Sequence, residues 1–244
     1  MSKIVYKNGN PFIEINGELI PPVAFRSFRP KPYNISQFHR MGVKLYQMIV
    51  SGHKNADGVK YSRYGGVWIN SEEYDFTAFE RQMEMFMKFA PNGYFCIMLN
   101  LDTPEKWLEN YPECPQSYYK LGQASVFDEW TIDAAKYLKA FIEFAESKYG
   151  DKIYAYSFSA GLCTEWFTED RCEATPKKLY AYRKYINNAD AKIPSYDELI
   201  AGKLSLREPS SNEYEYLEYC QNLNADLVCY FANEAQKVLN HKKL

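Results

Sequence analysis

The chain has 244 residues, a formal net charge of −2 and 46% hydrophobic residues, which is the composition of an ordinary globular domain. Positive and negative side chains are interspersed, so the composition excludes a basic surface for nucleic acid or for an anionic membrane. No apolar segment reaches the length that spans a bilayer. We expect no nucleic-acid partner and no membrane partner. Because the first ten residues lack the apolar run of a signal peptide, we also expect a cytoplasmic location.

Aromatic residues make up 17% of the chain and include 22 tyrosines. This share suits a surface that binds amphipathic ligands such as sugars, although composition alone favours a simpler explanation, a tyrosine-rich core and surface. The six cysteines are scattered without CxxC pairing, which predicts free thiols. A zinc site formed by Cys114, Cys163 and Cys172 is an alternative, but it lacks close spacing and a fourth ligand. We therefore expect neither a metal nor a cofactor.

The first predicted unit is an antiparallel β-hairpin over residues 1–20, where Asn-Gly pairs separate alternating apolar residues. The second unit, residues 21–244, begins with four apolar runs that read as buried strands, at 21–25, 43–50, 93–101 and 152–158. Between and after them lie amphipathic segments that predict helices, at 35–41, 74–90, 127–150, 176–187 and 212–240. The polar stretch 192–211 predicts a surface excursion with a short helix. Four βα units with a parallel sheet follow, and both an open doubly wound sheet and a (β/α) barrel fit this alternation.

Side chains that hold ligands in parallel α/β folds gather after the carboxyl ends of the strands. Here these positions carry aromatic, amide and charged groups, the set that holds a polyol: Arg26, Trp68, Asn100, Asp102 and Trp107. Asp102 also fits a helix N-cap, and each tryptophan also fits a cap on the sheet. No glycine-rich phosphate loop follows a strand, so an open sheet with a phosphorylated ligand is the weakest alternative. The scattered histidines, none expected to follow a strand, predict neither a triad nor a metal centre.

The segment SFSAGLCTEWF places Glu165 between Thr164 and Trp166, directly after the fourth strand. A carboxylate at this position must be solvated by a cleft or paired. A carboxyl group in an apolar cleft beside an indole suits general acid chemistry near neutral pH. Glu165 is therefore the candidate catalytic residue.

The segments NGELIPPVAF, GGVWINSEEYDF, NLDTPEKW and SFSAGLCTEWF resemble the (β/α)8-barrel glycoside hydrolases of clan A, in particular the beta-galactosidase-like proteins of family 42. The resemblance implies the N-terminal half of a TIM barrel, made of four βα units. It also implies hydrolysis of O-glycosidic bonds, with beta-galactosides among the expected substrates. Glu165 would be the general acid/base, and the other residues would surround the sugar: Arg26, Trp68, Asn100, Asp102, Trp107, Thr164 and Trp166.

Two features depart from the family pattern. Thr164 stands where most clan A enzymes have an asparagine that contacts the sugar 2-hydroxyl. The family's nucleophile belongs to the seventh strand, whereas this sequence ends at Leu244, and its other candidate carboxylates read as solvated surface: Glu169, Glu173 and Glu213. We expect negligible hydrolysis by this chain alone. We also expect the two open sheet edges to be covered, either by a second copy or by a complementary C-terminal half-barrel, or by the rest of a longer protein of which this chain is one fragment. The alternative function is a non-catalytic carbohydrate-binding or interaction protein.

Overall fold

The computed structural model describes residues 1–54, 58–166, 172–204 and 211–244, with side chains for all of these except 201–204 and 211. Its strands are β1 (Ser2–Lys7), β2 (Asn10–Ile15), β3 (Glu18–Ile20), β4 (Ala24–Arg26), β5 (Leu45–Val50), β6 (Trp68–Asn70), β7 (Glu73–Tyr74), β8 (Tyr94–Asn100) and β9 (Ile153–Ser159). Its helices are α1 (Pro32–Arg40), α2 (Thr77–Phe89), α3 (Glu105–Asn110), α4 (Ser117–Ala124), α5 (Asp128–Tyr149), α6 (Pro176–Tyr185), α7 (Tyr196–Leu204) and α8 (Ser211–Leu239).

The amino-terminal strands β1, β2 and β3 form an antiparallel sheet in chain order. Asn8 and Asn16 occupy its two turns with φ angles of 52° and 51°, and each precedes a glycine that also has a positive φ. Two consecutive residues with positive φ define the tight turn that matches the twist of neighbouring strands. Residues 2–20 thus form an antiparallel sheet of three strands with two tight turns.

The central sheet contains four parallel strands in the order β4-β5-β8-β9. Three of these strands, β5, β8 and β9, match apolar runs of the sequence, whereas β4 shares only Ala24 and Phe25 with the run at 21–25. The predicted amphipathic segments are helices. The sheet order follows the chain order, whereas a doubly wound sheet reverses its strand order at one point. The protein is thus a mixed α/β structure with a four-stranded parallel sheet.

Helices cover one face of this sheet. Phe79, Met83 and Phe86 form the apolar face of α2, and all three are fully buried. The ring of Phe86 lies 6.4 Å from that of Tyr46 in β5 and 5.9 Å from that of Phe95 in β8. This spacing of large side chains every three or four residues is what anchors a helix on a sheet.

The antiparallel strands cover the amino end of the parallel sheet. Ile15 and Ile20 pack against Leu45, the first residue of β5, and against Tyr154 near the start of β9. Loops and short helices lie at the opposite, carboxyl end, where the chain leaves each parallel strand. Ligand sites in such sheets lie at that end.

The outer edge of β9 also has hydrogen-bond partners. The Leu244 N–H donates to the Tyr154 carbonyl at 3.3 Å, and the Tyr156 N–H donates to the Leu244 carbonyl at 2.9 Å. This is the pattern of a parallel ladder. Further along the same edge, the Trp166 indole N–H donates to the Phe158 carbonyl at 3.0 Å.

Candidate functional site

A cavity of about 330 Å3 lies at the carboxyl end of the parallel sheet. The cavity is lined by the ends of β5 and β8, by β6 and the loop before it, by the start of α3 and by α5. The lining residues are Val50, Ser51, Gly52, His53, Gly66, Val67, Trp68, Ile69, Asn100, Asp102, Pro104, Glu105, Lys106 and Tyr137. Its volume is within the range of small-molecule sites.

Two glycines bring the backbone segments of this cavity together. A Cβ atom built on Gly66 would lie 3.0 Å from the Cα atom of Gly52, and a Cβ on Gly52 would lie 3.2 Å from the Cα of Gly66. These distances are too short for ordinary carbon contacts, so any larger residue would force the two segments apart. The width of the cavity therefore depends on both glycines.

Trp68 provides the aromatic wall of the cavity. Its indole N–H donates to the Asn70 carbonyl at 2.8 Å, and its ring stacks on Tyr137 with a centroid separation of 5.3 Å. Trp107 lies behind this wall, where it is fully buried and donates its indole N–H to Asp133 at 2.9 Å. Trp68 therefore contacts the cavity, whereas Trp107 supports the structure around it.

Asp102 fastens three segments at the floor of the cavity. Its Oδ1 accepts hydrogen bonds from the Ser117 hydroxyl at 2.6 Å and from the Gly161 N–H at 2.9 Å, and its Oδ2 accepts from Asn100 at 2.7 Å. Burial raises the pKa of Asp102 above its ordinary value, although His53 and the hydrogen-bond donors oppose this rise. The carboxyl group thus ties the end of β8 to the start of α4 and to the loop after β9.

His53 also lines this cavity, and its ring stacks on Tyr118 with a centroid separation of 5.0 Å. It lies three residues beyond Val50, the last residue of β5. The expectation that no histidine follows a strand is therefore wrong for His53. The SGH segment directly after the second apolar run was the available signal. Sequence reasoning also missed Glu105 and Lys106, exposed at the cavity and separated from Asp102 only by Thr-Pro.

Glu165 lies in a strained turn after β9. Its side chain is exposed, and its neighbours Thr164 and Trp166 have φ angles of 63° and 53°. Cys163 also has a positive φ, of 59°. Non-glycine residues rarely adopt this conformation, and such strain is concentrated at functional sites. Within the described part of the chain, Glu165 is not among the residues that line the cavity.

The neighbours of Glu165 make mainly backbone contacts. The Thr164 N–H donates to the Gly161 carbonyl at 3.1 Å, and its buried hydroxyl has no hydrogen-bond partner among the described residues. The Trp166 ring lies 6.0 Å from that of Phe231 in α8. Gly161 connects this turn to the cavity through its bond to Asp102.

The structure thus brings three of the sequence-predicted residues to one cavity: Trp68, Asn100 and Asp102. The exposed Arg26 lies at the end of β4, where its guanidinium group is 5.2 Å from the Phe28 ring. Glu173 forms an ion pair with Lys120 at 2.8 Å, and Glu169 lies outside the described residues.

The residues that the structure describes contain neither a metal-binding cluster nor a membrane-spanning helix. Within them, no group of three or more histidine, cysteine or acidic side chains is placed to hold a metal ion. Cys114 and Cys172 are both buried. Among the same residues, no helix combines the length and the apolar character that crossing a bilayer requires.

Comparison with solved structures shows where this fold recurs. The chain is similar to the crystal structure of the beta-galactosidase from Bacillus circulans sp. alkalophilus, with a TM-score of 0.50 and 10% identity, over 88% of this chain and 34% of that chain. It is also similar to the beta-galactosidase from the psychrophilic Marinomonas ef1, with a TM-score of 0.48 and 10% identity, over 88% of this chain and 35% of that one. No family model matches the sequence, and a comparison with curated proteins found no match.

The fold of this chain therefore recurs in part of the Bacillus circulans protein, and the chain spans about a third of the length of that protein. At 10% identity the likeness concerns the fold alone.

Proposed function

We propose that the chain is a glycoside hydrolase-like domain that binds a carbohydrate in the cavity at the carboxyl end of its sheet. The observation that carries this proposal is the composition of the cavity. An indole wall lies beside an amide, a carboxyl group and an imidazole, provided by Trp68, Asn100, Asp102 and His53. An aromatic face suits the C–H face of a sugar ring, and the polar groups suit its hydroxyls.

The proposal includes the N-terminal half of a TIM barrel. The sequential order of β4, β5, β8 and β9 and the similarity to a beta-galactosidase structure support it. A barrel encloses its strand ends only when further strands complete the sheet. A second copy of the chain or a complementary half-barrel is the partner that would complete it.

Within this proposal, Glu165 is the general acid/base of O-glycoside hydrolysis, with a beta-galactoside as the first substrate to test. The carboxyl group would protonate the leaving-group oxygen and then activate water. The strained turn that presents Glu165 supports this role, as does the bond from Gly161 to Asp102 at the cavity floor. Arg26, Thr164 and Trp166 would then lie around the bound sugar.

The test combines this chain with a complementary C-terminal half-barrel, because we expect negligible hydrolysis by this chain alone, and it compares hydrolysis of aryl glycosides with binding of the corresponding free sugars. We expect Glu165→Gln to abolish hydrolysis and to leave sugar affinity within about twofold. The amide has nearly the shape of the carboxyl group but cannot transfer a proton. Glu173→Gln is the matched control, since Glu173 is an exposed carboxylate that pairs with Lys120 and does not line the cavity. Wild-type turnover by Glu165→Gln would refute the catalytic role.

A second candidate function is carbohydrate binding without hydrolysis. It is favoured by the exposure of Glu165 and by the position of this residue outside the lining of the cavity. The two candidates differ in turnover. Sugar binding by the completed barrel without cleavage of any aryl glycoside in the panel would establish the second, and hydrolysis by the completed barrel that depends on Glu165 would establish the first.

A further inference from the structure

The turn 161–166, which follows β9, has an unfavourable backbone conformation in its middle. Cys163 and Thr164 have consecutive φ angles of 59° and 63°. Left-handed φ angles are uncommon for residues other than glycine, and for a β-branched residue such as Thr164 they are exceptional. Conformations of this kind persist only where the surrounding structure holds them. The described conformation of the turn therefore depends on contacts with its surroundings.

The hydroxyl group of Thr164 adds to the cost of this conformation. The residue is only 2% exposed, and its Oγ1 atom is buried with no hydrogen-bond partner among the described residues. A buried polar atom without a partner lowers stability, because it has lost its bonds to water and gained none in return. A rearrangement that exposes this hydroxyl to water removes that cost. Both features of Thr164 thus favour a second conformation of the turn.

Both ends of the turn are anchored by hydrogen bonds. At the first end, the Gly161 N–H donates to Asp102 on the floor of the cavity at 2.9 Å. At the other end, the Trp166 N–H donates to the Ala160 carbonyl at 2.8 Å. The residues between these anchors, 162–165, can therefore change conformation while the two ends stay in place.

The middle of the turn is connected to the lining of the cavity through Tyr118. Burial raises the pKa of Tyr118, and hydrogen bonds from the Tyr61 hydroxyl and from the Cys163 backbone oppose this rise. The Tyr118 ring also stacks on His53, which lines the cavity, with a centroid separation of 5.0 Å. A ligand that moves the His53 ring therefore acts on a contact that holds the turn.

We propose that the turn 161–166 is a two-state switch that brings Glu165 to the cavity when a sugar binds there, an inference that rests on the proposed function. In the part of the chain that the structure describes, Glu165 is exposed and is not among the residues that line the cavity. It lies four residues from Gly161 at the cavity floor, and four residues span at most about 14 Å. In the second conformation, Cys163 and Thr164 have negative φ angles and the Glu165 carboxyl group contacts the sugar.

The contact between Glu165 and the sugar is the reason why binding changes the balance between the two conformations. A ligand shifts such an equilibrium only when it binds one state more tightly than the other. Here the sugar gains a hydrogen bond to the carboxyl group in the second state alone. The loss of the left-handed φ angles at Cys163 and Thr164 offsets part of the cost of the rearrangement.

The first test is an NMR titration of the full chain with a beta-galactoside. The Trp68 indole signal reports binding in the cavity, and the Thr164 methyl signal of threonine-labelled protein reports the turn. A Thr164→Ser variant, which lacks the methyl group, assigns the second signal. We expect both signals to shift over the same range of concentration. A shift of the Trp68 signal alone would overturn the switch and leave the proposed function intact, whereas no shift of either signal would overturn both.

The second test compares Thr164→Gly with Thr164→Ala, because both substitutions remove the side chain. Glycine adopts a left-handed φ without penalty, whereas alanine does not. Thr164→Gly therefore stabilises the described conformation relative to Thr164→Ala. We expect Thr164→Gly to bind the galactoside about fivefold more weakly than Thr164→Ala. Equal affinities of these two variants would overturn the proposal.

The pair His241→Gly and His241→Ala is the matched control. His241 is exposed, has a left-handed φ of 56° and is not among the described residues that line the cavity. We expect these two variants to bind the galactoside with equal affinity, and a fivefold difference between them would overturn the reasoning. Thermal melts check that all four variants fold. If the Thr164 variants do not fold, the titration of the wild type decides between the outcomes.

Discussion

Replacing Ser117 by alanine should destabilise the protein through loss of the Asp102 network. Ser117 is fully buried, its hydroxyl donates to Asp102 at 2.6 Å, and the same oxygen accepts from the Thr103 N–H at 2.9 Å. A hydrogen bond to a charged group contributes about 1.5–3 kcal/mol, and a buried N–H left unpaired costs about 1–3 kcal/mol. We expect Ser117→Ala to lower the free energy of unfolding by about 3–5 kcal/mol.

Ser125→Ala is the matched control, at the residue that directly follows the end of α4. The Ser125 hydroxyl donates to the Leu121 carbonyl at 2.6 Å, and that carbonyl also accepts from the Ser125 N–H. When the Ser125 hydroxyl is removed, the Leu121 carbonyl still accepts from the Ser125 N–H. We therefore expect Ser125→Ala to lower the free energy of unfolding by about 1 kcal/mol. Urea unfolding followed by circular dichroism measures both variants. Equal free energies of unfolding for the two would refute the role given to the Asp102 network.

The pH dependence of stability gives an independent check on this network. Burial raises the pKa of Asp102 above its ordinary value of 3.8. At pH values between 3.8 and this raised pKa, the folded chain therefore keeps a proton that the unfolded chain has lost. Stability from this group therefore falls as the pH rises from 3.8 through the higher pKa of the folded protein. Ser117 lowers this pKa by donating a hydrogen bond. In Ser117→Ala the fall should continue to higher pH.

Two further substitutions test contacts elsewhere in the fold. Lys237 and Lys139 lower the pKa of Glu234 from its ordinary value of 4.5. This stabilisation is present above pH 4.5 and is lost as the pH falls through the lower pKa of Glu234 in the folded protein. Urea unfolding at neutral pH should therefore show that Glu234→Gln is less stable than the wild type by about 1 kcal/mol. In acid, this difference in the free energy of unfolding should shrink. Gly93→Ala should cost about 1–3 kcal/mol in the same assay, because the new Cβ would lie 2.9 Å from the buried Tyr46 ring. Wild-type stability of either variant would contradict the corresponding contact.

The four parallel strands were predictable from the sequence because each is a short run of apolar residues. Parallel strands buried on both faces lack the alternation of half-exposed strands, and this makes them recognisable. The long helices α2, α5 and α8 were predictable from their apolar periodicity. The short helices α3 and α4 were not, because six and eight residues are too few for a clear periodic signal.

The candidate site was predictable only in part. Asn100 ends β8, Asp102 follows it, and Trp68 belongs to the segment that follows β5, so their position at one end of the sheet could be inferred. The role of Asp102 as a link could not, because its partner Gly161 lies 59 residues away. Local sequence contains no information on which donors a buried carboxyl group meets across that distance.

The most direct test of carbohydrate binding is an NMR titration of the chain with a beta-galactoside, in which the signals of the tryptophan indole N–H groups are followed. Trp→Phe variants assign the signals. The account predicts a shift of the Trp68 signal, because this ring lines the cavity, and no shift for Trp130, whose buried indole donates to the Leu101 carbonyl at 2.9 Å. A saturating galactoside that leaves the Trp68 signal unmoved would contradict the account.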